Sequence, residues 1–283
     1  MGSPPTARHR ILLVDDDRGL RLALSTLLSD AGHDVETAGD GLEALARLQE
    51  RAFDLVLLDI GLPGMSGLDV LTRTRTLETP PLVIMMTADD TPEAVLESVR
   101  GQAFRYLHKP FPPHTIVDVV NEAVGAEAGL SFEVVSAKPE WLELVAPCTL
   151  AMADRVQSFV MHLDAHLPED VREAVAYAFR ELLINAIEWG GRFDPSRKVR
   201  ISCVRTKKML LYRIADPGEG FDIDGLRHAA ITNPDHDPIR HLEVREQQGL
   251  RPGGFGLAMT RELVDELIYN EARNEVLFVK YLQ

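Results

Sequence analysis

The chain has 283 residues, of which 45% are hydrophobic and 26% charged, and its formal net charge is −14. This length accommodates two globular domains of ordinary size. A phosphate backbone repels so acidic a surface and no basic helix offsets the charge, so we expect no direct binding of nucleic acid. No apolar run approaches the roughly 20 residues that cross a bilayer, and the start lacks a signal-peptide pattern. We therefore expect a cytoplasmic protein without a membrane partner.

Short apolar runs alternate with amphipathic helical patterns in the first part of the chain. ILLVDD, LVLLD and PLVIMMT are typical of buried strands, and two further strands are expected at Asp34–Thr37 and in FRYLHK. Helices are predicted at Arg18–Ala31, near Gly41–Glu50, from Ser66, from Thr91, and after Pro113 to near Val124. Continuous apolar strands that alternate with helices predict a doubly wound, five-stranded parallel sheet of the α/β class.

Polar residues stand at the carboxyl ends of four of these strands, which share one edge of a parallel sheet. These residues are Asp15, Asp16 and Asp17, then Asp59, then Thr87, and finally Lys109. Clustered carboxylates repel each other unless a cation joins them, and oxygen ligands suit Mg²⁺. Lys109 and Thr87 can hold the oxygens of a phosphoryl group that arrives on a carboxylate. Asp17 is better explained as a helix cap than as a ligand.

The motifs ILLVDDD, LVLLDIGLPGMSGLDVL, IMMTA and YLHKPF resemble the response-regulator receiver family over roughly residues 8–124. The resemblance implies that Asp59 accepts the phosphate, that an upstream histidine kinase or phosphotransfer protein supplies it, and that Lys109-Pro110 is a cis bond. It assigns the remaining roles as follows: Asp16, Asp59 and the Gly61 carbonyl bind the metal, Asp15 supports them, Thr87 and Lys109 contact the phosphoryl group, and Tyr106 is an aromatic switch. Simple packing of Tyr106 remains an alternative.

Small and polar residues at Gly125–Gly129 predict a boundary, with a first domain at 1–124, a linker at 125–130 and a second domain at 131–283. The second domain has another element order. We predict a strand at Phe132–Ser136, helices near Glu140–Leu167 and Glu169–Trp189, strands at Lys198–Thr206 and Met209–Asp216, a polar stretch at Asp224–Pro252, a helix from Gly256 and a strand at Glu275–Leu282. This order predicts an α/β sandwich.

Three segments of the second domain carry residues suited to a nucleotide. Glu181, Asn185 and Glu188 share one helix face, although a solvated charged face would look the same. Asp216 ends a strand before Gly218 and Gly220, so its carboxylate can accept a hydrogen bond from an exocyclic amine such as that of adenine. Gly253, Gly254 and Gly256 open a helix whose free N–H groups suit phosphate. Each glycine motif alone also fits an ordinary turn.

Together these motifs resemble the gyrase and histidine-kinase ATPase superfamily, and its anti-sigma-factor serine kinase branch most closely, over roughly residues 131–283. NEVLFVKYL matches the closing strand of that branch, whereas Trp189 stands where the branch often has His. The resemblance implies an ATP site in which Asn185 coordinates Mg²⁺, Asp216 binds adenine and Glu181 activates the attacking hydroxyl or water. It also places Gly218, Gly220, Gly253, Gly254 and Gly256 along the nucleotide, and makes residues 224–252 a lid.

Three functions follow from this combination. The first is a receiver-regulated protein serine/threonine kinase in a sigma-factor switch, with a sigma factor or an anti-sigma antagonist protein as partner. The second is an ATP-dependent module that sequesters such a partner without catalysis. The third is a hybrid histidine kinase, which is disfavoured because MHLDAHLPED lacks a phosphoacceptor motif. Both families often form dimers, so a homodimer remains open.

Overall fold

A computed structural model describes residues 8–88, 91–125, 131–221, 240–247 and 255–282. The chain divides into two compact units, of which the first comprises Met1–Gly129 and Ser158–Leu163 and the second comprises Leu130–Gln157 and Asp164–Gln283. The predicted linker 125–130 lies outside the described residues except for Gly125, so the predicted domain limits stay predictions. Within the described ranges, no helix has both the length and the apolar character needed to cross a bilayer.

The first unit is a five-stranded sheet in the order β2-β1-β3-β4-β5, and all four strand pairs are parallel. Its strands are β1 (Arg10–Val14), β2 (Asp34–Ala38), β3 (Leu55–Asp59), β4 (Leu82–Thr87) and β5 (Arg105–His108). Its helices are α1 (Arg18–Asp30), α2 (Gly41–Glu50), α3 (Gly67–Thr74), α4 (Pro92–Arg100) and α5 (Pro113–Gly125). This topology confirms the predicted doubly wound α/β fold.

The ends of the strands and helices in this unit follow from local chemistry. The five residues of β3 are all buried, as expected for a central strand covered on both faces. Asp17 caps α1, as predicted, because its Oδ1 accepts hydrogen bonds from Gly19 N at 2.7 Å and Leu20 N at 3.1 Å. The cap turns the chain into α1 directly after Asp15 and Asp16, which leaves these two carboxylates at the sheet edge.

The second unit is a six-stranded sheet in the order β10-β11-β9-β8-β7-β6, with antiparallel pairing throughout. Its strands are β6 (Glu133–Lys138), β7 (Trp141–Pro147), β8 (Lys198–Arg205), β9 (Met209–Ala215), β10 (Glu266–Tyr269) and β11 (Glu275–Tyr281). Its described helices are α6 (Leu150–Leu163), α7 (Glu169–Asn185), α8 (Arg240–Gln247) and α9 (Gly256–Leu263), and a π-helical turn, Ala186–Gly190, continues α7. The last part of α6, Ser158–Leu163, is grouped with the first unit. Sheet and helices form the predicted α/β architecture.

The prediction of one helix over Glu140–Leu167 is wrong in its first part. Residues 141–147 form β7, in which Leu142, Leu144 and Ala146 are buried while the residues between them are more exposed. A period of two is the signature of a strand with one buried face, and it outweighs the helical propensity of this segment. The helix begins only at Leu150, where the Thr149 hydroxyl caps Met152 N at 3.2 Å. The short strand β10 was not predicted at all.

Large aromatic rings fill the space beneath this sheet. Tyr212 of β9 stacks on Phe278 of β11 with ring centroids 4.9 Å apart, and its other neighbour is Phe179 of α7 at 5.5 Å. The Tyr212 hydroxyl donates to the fully buried carboxylate of Asp164, and Arg205 Nη1 lies 2.6 Å from Asp164 Oδ1. This core fixes α7 and β9 against each other, and both elements carry residues of the predicted nucleotide site.

Candidate functional site

Three carboxylates meet at the carboxyl edge of the parallel sheet, as the sequence predicts. Asp15, Asp16 and Asp59 each offer an oxygen, and these oxygens lie within 4.8 Å of one another. Asp15 is fully buried, Asp59 is 7% exposed and Asp16 is open to solvent. Such a group of hard oxygen ligands with one open side suits a divalent cation that retains water, as Mg²⁺ does.

Lys109 reaches into this acidic group from the end of β5. Its ammonium nitrogen lies 2.6 Å from Asp15 Oδ2 and 3.1 Å from Asp59 Oδ1. Burial alone would lower the pKa of Lys109, but the hydrogen bond to Asp15 and the charges of both carboxylates outweigh it and raise the pKa. Burial raises the pKa of Asp59, and Lys109 partly offsets that effect. The peptide bond from Lys109 to Pro110 is cis.

The other predicted residues of this site take the following places. Thr87 ends β4 and is 2% exposed, one residue beyond the pairing of Asp59 with Met86. Gly61 follows β3, and its N–H donates to the Asp59 carboxylate. Tyr106 lies in β5 and is fully buried. The geometry thus brings Thr87 and Gly61 to the Asp59 edge, while Tyr106 lies within the packed interior.

Two supporting residues of this edge were missed from the sequence. The Arg21 guanidinium donates to the main-chain carbonyl of Asp15, which ties α1 to the acidic turn. Gly67 starts α3 where a Cβ would stand 2.0 Å from the Asp59 carbonyl oxygen, so no other residue permits this approach. The sequence GLPGMSGLDV indicates a turn, but the close contact between Gly67 and the Asp59 carbonyl, which requires glycine, is visible only in the folded chain.

The second unit contains a cavity of about 740 Å³ between α7, β9 and the β10–β11 hairpin. Seven predicted residues line it: Glu181, Asn185, Glu188, Asp216, Gly218, Gly220 and Gly256. Trp189, at the position where the sequence departs from the family pattern, lines it too. The predicted Gly253 and Gly254, and most of the predicted lid 224–252, lie outside the described residues.

Asp216 is the carboxylate at the centre of this cavity, directly after β9. Its Oδ1 accepts a hydrogen bond from Gly218 N at 2.7 Å, and its own N–H donates to Asn274 O at 2.8 Å. Burial raises the pKa of Asp216, whereas the Gly218 N–H and the charge of Arg197 act in the opposite direction. The hydrogen bond from Gly218 N therefore fixes the direction of the carboxylate.

Two glycines make room for the Asp216 carboxylate. A Cβ on Gly190 would lie 2.0 Å from Asp216 Oδ1, and a Cβ on Gly218 would lie 2.7 Å from the same atom. Gly190 reaches this point because the π-helical turn, closed by Gly191 N to Ala186 O at 2.8 Å, widens the end of α7. π-Helical turns of this kind are frequent at functional sites. Gly190 was not predicted as a site residue.

Two further predicted glycines, Gly220 and Gly256, lie very close to other segments of the chain. Gly220 has a φ of 88°, and a Cβ there would stand 1.6 Å from Ala272 O, so this turn requires glycine. A Cβ on Gly256 would stand 1.9 Å from Glu181 Oε2. The carboxylate that the sequence assigns as a base therefore lies against the first residue of α9.

Family models match both units. The response regulator receiver domain matches residues 11–121, and the histidine kinase-like ATPase domain matches residues 146–280. Sporulation initiation phosphotransferase F of Bacillus subtilis is 35% identical over 114 residues, which are 40% of this chain and 92% of that relative. The chain belongs to the response regulator receiver family. Its receiver domain is followed by a histidine kinase-like ATPase domain.

Other relatives resemble the receiver domain alone. The DNA-binding response regulator MtrA of Mycobacterium tuberculosis is 43% identical over 112 residues, 40% of this chain and 49% of the relative. The chain thus spans about half the length of the MtrA relatives it matches. Among solved structures, the chemotaxis response regulator CheY4 of Vibrio cholerae is 33% identical, covering 41% of this chain and 99% of that one, with a TM-score of 0.39. Each of these relatives matches the receiver domain, and the second domain is matched by the histidine kinase-like ATPase family model.

The residues at the two sites fit the ligands that these families use, which are Mg²⁺ in the receiver domain and ATP in the ATPase domain. In the receiver domain, the oxygens of Asp15, Asp16 and Asp59 form a hard ligand set of the kind that holds Mg²⁺. In the ATPase domain, the Asp216 carboxylate stands in a cavity and is bordered by glycines whose missing side chains leave space beside it. A half-buried acceptor of this kind is suited to an amino group of a planar ligand.

Proposed function

We propose that phosphorylation of Asp59 controls an ATP-binding output domain that acts as a protein serine/threonine kinase in a sigma-factor partner switch. Its partners would be an upstream histidine kinase or phosphotransfer protein and, downstream, a sigma factor or an anti-sigma antagonist protein. The observation that carries the proposal is the pairing of two built sites on one chain: the Lys109–Asp59 contact of 3.1 Å and the glycine-bordered Asp216 in its cavity.

In the receiver domain, an Asp59 carboxylate oxygen would attack the phosphorus of the phosphodonor. A new oxygen–phosphorus bond forms, the bond to the leaving group breaks, and the leaving group departs with its electron pair. Asp15, Asp16, Asp59 and the Gly61 carbonyl would hold Mg²⁺, which neutralises the clustered carboxylates when bound. Lys109 and Thr87 would contact the phosphoryl oxygens, and Tyr106 would respond to the inward movement of Thr87.

In the ATPase domain, Asp216 would accept a hydrogen bond from the adenine amino group, and Asn185 would hold Mg²⁺. Gly218, Gly220, Gly253, Gly254 and Gly256 would line the nucleotide. Glu181 would take the proton from the partner hydroxyl as the hydroxyl oxygen attacks the γ-phosphorus. The bond from that phosphorus to the β,γ-bridging oxygen breaks, and ADP leaves with the electron pair. The position of the Glu181 carboxylate against Gly256, at the start of α9, supports this role because helix starts are suited to phosphate.

Binding of ATP is the first test of this assignment. ATP at a hundredfold excess over its Kd should stabilise the ATPase domain by about 2.7 kcal/mol through mass action. Asp216→Asn should lose most of this stabilisation, because an amide offers one acceptor oxygen where the carboxylate offers two. Absence of any shift in the unfolding transition of the natural chain at millimolar ATP would contradict a nucleotide site here.

Transfer of the γ-phosphate to a partner separates a kinase from a sequestering module. The co-purified partner, identified by mass spectrometry, should gain label from γ-labelled ATP on a seryl or threonyl hydroxyl. Glu181→Gln should abolish transfer while ATP binding persists. Glu173→Gln is the matched control, since Glu173 is exposed on the same helix two turns away. ATP-dependent partner binding without label would instead favour the sequestering alternative.

A further inference from the structure

Arg197 has no role in the function proposed so far, although it lines the nucleotide cavity. It stands just before β8, and its Nη2 donates to the carbonyl of Pro217 at 2.6 Å. Its main chain is fixed as well, because Arg197 O accepts from Cys148 N at 3.0 Å. The guanidinium therefore binds the turn that follows Asp216 from a rigid position.

A second side chain holds the same turn from the opposite hairpin. Asn274 Nδ2 donates to Gly218 O at 2.9 Å, while Asn274 O accepts from Asp216 N. The carbonyls of Pro217 and Gly218 are thus each bound by a side chain distant in sequence. Movement of the turn requires that one of these hydrogen bonds break, and a hydrogen bond to a charged group is the costlier to break.

The Arg197 guanidinium is held on the carbonyl of Pro217, the residue next to Asp216. Burial raises the pKa of Asp216, while the Gly218 N–H and the Arg197 charge lower it, and the Cys148 thiol also interacts with this carboxyl. Burial raises the pKa of Cys148 to about 11, so the thiol is neutral at physiological pH. Without Arg197, only the Gly218 N–H would oppose the rise that burial causes in the pKa of Asp216.

We propose that Arg197 is a positioning and specificity-determining residue, which holds the Asp216–Gly218 turn through the Pro217 carbonyl and places a positive charge one residue from the Asp216 carboxylate, so that the site selects 6-amino purine nucleotides. An ionised carboxylate only accepts hydrogen bonds, which suits an amino group. A protonated one gains a donor and tolerates the 6-oxo group of inosine triphosphate. This inference rests on the proposed nucleotide site.

Three variants of the full chain separate the hydrogen bond from the charge. Arg197→Lys keeps the charge, and Arg197→Gln keeps an amide donor without the charge. Arg200→Gln is the matched control, because Arg200 is an exposed residue of β8 that pairs with Glu143 at 3.1 Å. The measurements are the Kd values of ATP and inosine triphosphate across pH 5–9, and the titration of the Asp216 carboxyl by carbon-13 NMR, assigned by comparison with Asp216→Asn.

In Arg197→Gln we expect the Asp216 titration to move to higher pH, and ATP affinity to fall about twofold at the new midpoint and about tenfold one pH unit below it, because only the ionised fraction binds. The preference for ATP over inosine triphosphate should fall at the same pH, whereas Arg197→Lys and Arg200→Gln should keep the natural profile. An unchanged Asp216 titration in Arg197→Gln would overturn the inference, as would an equal, pH-independent loss in Arg197→Gln and Arg197→Lys. If the natural chain bound neither nucleotide, the proposed function would fail first, and this inference with it.

Discussion

The Lys109 ammonium nitrogen lies 3.1 Å from Asp59 Oδ1, although the two residues come from different strands. The contact places a fixed cation beside the carboxylate that is predicted to accept phosphate. The same cation lies 2.6 Å from Asp15, so it balances two acids while the third remains open to solvent. A phosphoryl group on Asp59 would add charge and acceptor atoms at this point, and the Lys109 ammonium is a donor already in place beside it.

Asp59→Asn should abolish phosphorylation of the chain by acetyl phosphate in the presence of Mg²⁺. An amide nitrogen and oxygen cannot replace the carboxylate nucleophile, so intact-mass spectrometry should show no added phosphate. Asp54→Asn is a suitable control because Asp54 is exposed and lies at the opposite end of β3. Persistent, base-labile phosphate on the Asp59→Asn chain would show that another residue is the acceptor.

Gly190→Ala should weaken ATP binding by about ten- to hundredfold. The added Cβ would stand 2.0 Å from Asp216 Oδ1. It would force the carboxylate away from the position in which it accepts a hydrogen bond from the adenine amino group, and a hydrogen bond to a charged group is costly to lose. Gly125→Ala serves as the control, since nothing lies within 4 Å of a Cβ there. Calorimetric titration with ATP checks this, and equal affinity in both variants would place the adenine contact elsewhere.

Asp164→Asn should destabilise the ATPase domain by about 3–5 kcal/mol, because it leaves the largely buried Arg205 guanidinium without its counter-charge. Asp154→Asn in the same region removes an exposed ion pair with Arg180, worth about 0–1 kcal/mol. Urea unfolding followed by tryptophan fluorescence measures both, since the chain's two tryptophans, Trp141 and Trp189, lie in this domain. Similar losses in the two variants would contradict the account of this core.

The receiver domain should lose stability as pH falls below about 6.5. Burial lowers the pKa of His33, and the nearby His9 adds to the effect. The His33 imidazole therefore binds a proton more readily in the unfolded chain than in the folded one. The free energy of unfolding is at its full value above the pKa of the unfolded chain, and it decreases as pH falls through the pKa of the folded chain. The slope is at most about 1.4 kcal/mol per pH unit. Amide exchange of β1 and β2, corrected for intrinsic rates, should show this slope. His33→Leu should flatten it and the exposed His114→Leu should not; the same slope in all three chains would exclude His33 as its source.

Local pattern sufficed for the receiver domain. Buried runs such as LVLLD can only be central strands of a covered sheet, and the polar residues at their ends then converge at one edge. In the ATPase domain the same reasoning failed at Trp141–Pro147, where alternation of buried and exposed residues, rather than helical propensity, decides the structure. The prediction was wrong because the period of two was overlooked.

The residues that hold the two sites in place could not be predicted from local sequence. Arg197 looks like any charged residue before a strand, and its hydrogen bond to Pro217 joins residues 20 positions apart. Gly190 and Gly67 look like turn residues, yet each is required by one atom of a distant segment. Such requirements arise only when the chain folds, because they depend on which segments approach each other.

The central claim is that the state of Asp59 controls the ATP-binding domain, and the ATP affinity of the full chain tests it most directly. The Kd of ATP should be measured with and without beryllofluoride and Mg²⁺, in the natural chain and in Asp59→Asn. Coupling through a two-state equilibrium predicts a change of about 5–150-fold in the natural chain and none in Asp59→Asn. Equal ATP affinities in the natural chain with and without beryllofluoride would contradict the claim.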